Sequence, residues 1–176
     1  MSRLSHCLPI TLIVFLLPFV TSCASKRESA PPSAPSALLE KPLPDFRRTA
    51  LDGSNVDTKS FNGRVVVFEL FAEHCVPCAT SLPAAEEAHR ARPDVAFVGL
   101  SEDDDVDGAA RMVARHTVTF PVVHDAGQVL AGRLRQTELP ATVVADKTGT
   151  VRWVGTRPFT ADELTRVLDR TASSAR

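Results

Sequence analysis

Residues 65–71 read VVVFELF, and six of these seven are apolar, without the alternation that marks a strand with one face in water. Such a run folds as a strand covered on both faces, of the kind found inside a parallel sheet, and it ties the surrounding chain to an α/β arrangement. Glu69 is the exception within it. A carboxylate in the middle of an apolar strand is costly unless it is paired, protonated or put to use. Two-residue alternation puts Glu69 on the same face as Val67 and Phe71. A short loop after Phe71 leads to Cys75-Val76-Pro77-Cys78 at what reads as a helix start.

The rest of the body alternates strand and helix signals. Phe46 to Leu51 and Ser54 to Thr58 flank Asp52-Gly53 and predict a hairpin. After the 65–71 strand come a helix over about 77–91 and a second buried strand over 95–100. The acidic run 102–107 is expected to cap and solvate a helix spanning 106–116. A short strand over 120–123 and a short helix over 126–135 follow. Strands over 141–145 and 150–155 are joined by Asp146-Lys147-Thr148-Gly149, and Thr160-Ala161-Asp162-Glu163 opens a last helix, to about Thr171, with a capping-box signature. A βαβ unit followed by ββα predicts one α/β sandwich around a mixed sheet.

The first 43 residues are different in kind. Arg3 is the only charge ahead of CLPITLIVFLLPFV (7–20), a run too short to span a bilayer and suited to a signal-peptide core. Val20-Thr21-Ser22-Cys23 resembles a bacterial lipobox. That resemblance implies cleavage after residue 22 and acylation of Cys23; ordinary secretion with Cys23 free is the alternative. Residues 24–43 are rich in Ser, Ala and Pro and read as a flexible tether. The expected organisation is therefore a signal peptide over 1–22, a lipidated Cys23 with its tether over 23–43, and a folded domain over 44–176. Ala24 after the lipidated cysteine leans the anchor toward an outer membrane.

With Cys7 leaving with the signal and Cys23 occupied by lipid, only two of the four cysteines, Cys75 and Cys78, remain in the body. An exported chain whose one remaining pair is adjacent points to thiol chemistry more than to stapling. At a helix start, unpaired N–H groups and the helix dipole favour an anion, so Cys75 is the candidate attacking thiolate and Cys78 the resolving thiol. Pro77 suits a first helical turn, where its missing N–H costs nothing. A structural metal needs two further ligands, and His74, His89, His116 and His124 are scattered. Glu69, six residues before Cys75, is either a proton carrier for Cys78 with a raised pKa or a residue at a wet sheet end. His74 either stabilises the Cys75 thiolate or is an exposed histidine with no role. A net charge of −1 without a long basic cluster excludes a nucleic-acid footprint.

Taken together, Pro44-Asp45-Phe46, Asn62-Gly63-Arg64-Val65-Val66-Val67, Phe71-Ala72-Glu73-His74-Cys75-Val76-Pro77-Cys78 and Leu139-Pro140-Ala141-Thr142 resemble the thioredoxin superfamily, in its TlpA/ResA-like group of membrane-tethered thiol–disulfide oxidoreductases. The resemblance covers 44 to about 171. It implies a three-layer α/β/α sandwich with a central mixed sheet, an N-terminal hairpin and a helix-strand insertion between 101 and 123. It also implies a cis Pro140 packed on the cysteine pair, Leu139 backbone pairing with an incoming peptide, His74, Val76 and Pro77 at the partner-binding surface, and Glu69 at the place of the buried acid. No cofactor is expected beyond the Cys75–Cys78 disulfide. The expected partners are extracytoplasmic protein thiols or disulfides and a membrane electron donor or acceptor. His74 stands where the family usually has Trp, and Leu139 where Thr or Val is usual. The usual glycine upstream of the proline is missing from Arg135-Gln136-Thr137-Glu138. Two other activities on related folds are a Sco-like copper carrier, for which His124 would be the distal ligand although the cysteine spacing is one residue short, and a peroxide reductase, for which the Pro-x-x-x-Thr-x-x-Cys pattern is absent.

Overall fold

The structure, a computed structural model, describes residues 28–174. The apolar leader, Cys7 and Cys23 lie outside the described residues.

A hairpin, β1 (Arg47–Thr49) and β2 (Asn55–Asp57), turns at Asp52-Gly53, where Gly53 takes a φ of 83° and the Asp52 carboxylate accepts the Ser54 N–H. The body continues with β3 (Val66–Phe71), α1 (Cys78–Ala91), β4 (Ala96–Ser101), α2 (Val106–Arg115), β5 (Val122–His124), α3 (Val129–Arg133), β6 (Ala141–Ala145), β7 (Val151–Gly155) and α4 (Ala161–Ser174). Five strands form one sheet in the order β5-β4-β3-β6-β7. β3 and β4 pair in parallel, as do β4 and β5, whereas β6 runs antiparallel to both β3 and β7. The mixed sheet expected from the element order is present, with β3 at its centre.

Both faces of β3 are covered, which is why its sequence does not alternate. Val65, Val67 and Phe71 pack toward α1, α2 and α4 with Leu82, Met112, Leu164 and Leu168. Val66, Phe68 and Leu70 pack the other way, against hairpin residues Phe46 and Val56 and against Leu130 of α3. Glu69, in step with Val67 and Phe71, is thereby aimed into the layer containing α1.

Most element boundaries fall within two residues of expectation, and the departures have physical causes. Pro121 cannot donate to a ladder, and the short strand starts after it at Val122. The helix expected over 126–135 is a 3₁₀ turn at Ala126–Gln128 followed by α3. Positive φ at Gly127 and Gln128 breaks it, and the Asp125 carboxylate restarts it by accepting the N–H groups of Leu130 and Ala131. At α4 the capping box is reciprocal: the Glu163 N–H donates to Thr160 Oγ1 and the Thr160 N–H to Glu163 Oε2.

The flexible tether needs correction over its second half. The N–H groups of Ala34, Glu40 and Leu43 donate to the carbonyls of Val154, Val151 and Gly149. The chain thus runs as a strap antiparallel to the outer edge of β7. Pro31 accepts from Trp153 Nε1 and Arg170, and Leu38 is buried at 6% exposure. Prolines and serines give no apolar periodicity and so resemble a tether in sequence, yet a strand edge needs only backbone groups from its neighbour.

Candidate active site at the start of helix α1

The loop from Ala72 to Pro77 leaves the end of β3 and delivers the cysteines to the helix start. The Cys75 N–H donates to the Ala72 carbonyl and the Cys78 N–H to the Cys75 carbonyl, closing two successive turns. Pro77, whose φ is −68°, stands at the cap position immediately before α1. The insertion holds this loop from the side. The Glu73 N–H donates to Asp103 Oδ1 at 2.7 Å, and Ser101 Oγ donates to Asp103 Oδ2. The Glu73 carboxylate in turn accepts from Arg111 and Arg115 of α2. Helix α2 comes so close that a Cβ on Gly108 would lie 2.9 Å from Asp103. The acidic run therefore divides: Asp105 caps α2 by accepting the Gly108 N–H, as expected, but Glu102 and Asp103 are buried and do not serve as a solvated face.

Cys75 and Cys78 form a disulfide with a Cα–Cα separation of 5.4 Å. The two sulfurs are not equivalent. Cys75 is 7% exposed and its Sγ accepts the backbone N–H of Cys78 at 3.2 Å, whereas Cys78 is fully enclosed. His74 and Pro77 are exposed, and Val76, at 84%, is the most exposed large apolar side chain among the described residues. The Leu139–Pro140 peptide is cis, Pro140 is buried, and Leu139 packs partly against the cluster containing both cysteines. Because Ala141 lies opposite Leu70, Pro140 stands at the end of the sheet from which the cysteine loop departs.

Glu69 has no exposure at all, which excludes the wet sheet end. Thr142, its partner across the β3–β6 ladder, donates Oγ1 to Glu69 Oε2 at 2.6 Å. Burial pushes the carboxyl up to about 8, with the hydroxyls of Thr142 and Ser81 pulling the other way. Glu69 Oε1 and Ser81 Oγ are both enclosed, and neither has a hydrogen-bond partner among the described residues. Thr142 and Ser81 escape a sequence reading. The register that sets Thr142 against Glu69 spans 73 residues, and the one signal for Ser81 is its place three residues after Cys78 on the buried stripe of α1.

Glu102 is raised by burial and by the nearby Asp125, and His74 acts on it in the opposite sense. His124, the ligand a copper carrier would need, engages the Asp103 carbonyl through Nε2 at 2.8 Å. Among the described residues no group of three or more His, Cys, Asp or Glu side chains is placed to hold a metal ion.

Residues 39–169 match the Redoxin family. The chain is 27% identical over 115 residues to the thiol-disulfide oxidoreductase ResA of Bacillus thuringiensis (strain Al Hakam), an alignment covering 64% of this chain and 66% of that protein, just under two thirds of its length. Among solved structures it is similar to MTB dsbF in mixed oxidized and reduced forms, with a TM-score of 0.68 and 26% identity over 73% of this chain and 96% of that one. It is also similar to a secreted Mycobacterium tuberculosis disulfide oxidoreductase homologous to E. coli DsbE, with a TM-score of 0.63, 26% identity and the same coverage. The chain belongs to the Redoxin family, with the thioredoxin-like fold of its TlpA/ResA-like members.

Proposed function

We propose that this protein is a thiol–disulfide oxidoreductase that works outside the cytoplasm, held to a membrane by lipid on Cys23 and acting as a reductant of protein disulfides. The observation that carries the exchange chemistry is the asymmetry of the pair. Cys75 reaches the surface beside exposed Val76 and Pro77 and receives a backbone N–H on its sulfur, while Cys78 is enclosed behind it. A sulfur that accepts an N–H at a helix start is stabilised as thiolate. In the reduced protein Cys75 Sγ⁻ attacks a partner disulfide, forming a mixed disulfide and releasing one partner thiolate. Cys78 then loses its proton and attacks Cys75 Sγ, which forms the intramolecular disulfide and releases the second partner thiolate. Two electrons pass from the pair to the partner. Glu69 is the proton acceptor for Cys78, and Leu139, Pro140, His74, Val76 and Pro77 form the surface that receives the partner. Val76-Pro77 contains no histidine of the sort that favours strong oxidants, which supports the reducing direction, with electrons resupplied by a membrane donor.

Two measurements test this. Cys78→Ser is expected to accumulate mixed disulfides with extracytoplasmic proteins, and Cys75→Ser to abolish exchange; a Cys78→Ser protein that traps nothing contradicts the roles. The reduction potential of the pair is expected near that of thioredoxin, about −270 mV, whereas a value near about −120 mV reverses the direction.

A further inference from the structure

Two enclosed polar atoms at the site, Glu69 Oε1 and Ser81 Oγ, have no hydrogen-bond partner among the described residues. Leaving a buried polar group unsatisfied is costly, and such groups in a native core mark strain or a catalytic role. Both lie where α1 packs on β3. Glu69 projects from β3 toward the α1 layer, its Oε2 committed to Thr142 and its Oε1 open. Ser81 is fully buried on the inner stripe of α1, one turn after the equally buried Cys78. Its hydroxyl also acts on the Glu69 carboxyl in the sense of a donor, which places the two within electrostatic reach.

We infer that Ser81 is a positioning residue for proton transfer, its hydroxyl linking the Cys78 thiol to Glu69 Oε1. In the resolving step the hydroxyl passes its own proton to Glu69 Oε1 as it takes the proton from Cys78 Sγ. The net change is a thiolate at Cys78 and a neutral carboxyl at Glu69, with Ser81 restored. Cys78 Sγ⁻ then bonds to Cys75 Sγ and the partner departs as thiolate. When the protein runs in the opposite sense, the proton returns along the same path to Cys78. A hydroxyl suits this place because it donates and accepts at once, whereas a second carboxylate would repel the first. The inference rests on the proton-accepting role proposed for Glu69.

The test is stopped-flow reaction of the reduced protein with an aromatic disulfide whose thiolate is coloured. The first release of colour reports attack by Cys75 and the second reports resolution by Cys78. Ser81→Ala keeps a small, helix-favouring residue at a buried position, and its thermal melt reports the fold directly. The second release is expected to slow at least tenfold and to lose its inflection near pH 8, with the first release unchanged. Glu69→Gln run in parallel should give the same pattern, and the double variant should be no slower than the slower single one, because both groups lie on one path. A second release unchanged in rate and pH profile in Ser81→Ala, or equal slowing of both releases, overturns the role of Ser81 alone if Glu69→Gln still flattens the profile. Effects that multiply in the double variant overturn the shared path. A Glu69→Gln profile that keeps its inflection overturns the Glu69 reading and this inference with it.

Discussion

Strand β6 has a carboxylate at each end, and their surroundings could hardly differ more. At one end Thr142 reaches across to Glu69, and at the other Asp146 follows Ala145. Both acids are buried, at 0% and 1% exposure. Burial alone would raise Asp146 too. Yet the Thr148 hydroxyl, Arg152 and the N–H groups of Thr148 and Thr150 outweigh it and hold the group below the ordinary carboxylate range. Among the described residues Glu69 has one formed hydrogen bond and no cation beside it, and burial raises it to about 8. Burial sets the stakes, and the number of partners decides whether a carboxylate ties a turn together or stays free to exchange a proton.

Removing the well-satisfied acid has the largest expected effect. Asp146→Ala leaves Arg152 with Glu40 alone as its carboxylate partner and strips two turn N–H groups of their acceptor, and it is expected to cost about 3 kcal/mol in urea unfolding at neutral pH while leaving the exchange profile intact. A change in the profile instead would mean that the two ends are coupled. Next is Glu69→Gln, read through stability against pH. Between the ordinary 4.5 and about 8 the unfolded chain has given up a proton that the native chain keeps, so native stability falls as pH rises through this window. Abolishing the titration should leave the variant roughly 3 kcal/mol less sensitive to a rise from pH 5 to 8 than the parent. Asp146 contributes with the opposite sign: its lowered value stabilises the fold above about 3.8, and that contribution is lost on acidification. The smallest effect is expected for Thr142→Val, which removes the hydroxyl bonded to Glu69 Oε2. It should cost about 1 kcal/mol and move the exchange inflection upward from its place near pH 8. A downward move would show that something other than Thr142 governs the carboxyl.

Much of the fold was legible because its signals are local. The unbroken apolar run of β3, the turn at Asp146 to Gly149 and the Thr160–Glu163 box each lie within a few residues and each specify one structure. At the site, Cys75, Cys78 and the misplaced charge of Glu69 stand out for the same reason. What stayed hidden depends on register between distant segments. Thr142 looks like an ordinary strand residue until β6 is laid antiparallel on β3, and Ser81 like an ordinary helix residue until α1 is laid over Glu69. Asp103 reads as one acid among several, and only the return of β4 beside the cysteine loop makes it the acceptor for Glu73. The strap over 31–43 carries little periodic side-chain code, since apart from Ser33, Leu38, Leu39 and Leu43 its pairing is through backbone groups.

That strap bears on where the protein can safely be cut. Ser33 and Val154 are bonded across 121 positions of sequence and Pro31 and Arg170 across 139, so the segment acts as a clasp between parts of the chain made early and late. Trimming at residue 44, where composition places the boundary, would uncover the backbone of β7 at Val151 and Val154 and that of Gly149 in the turn before it. An uncovered strand edge recruits the same edge of another molecule, and the trimmed domain would trade its internal clasp for self-association.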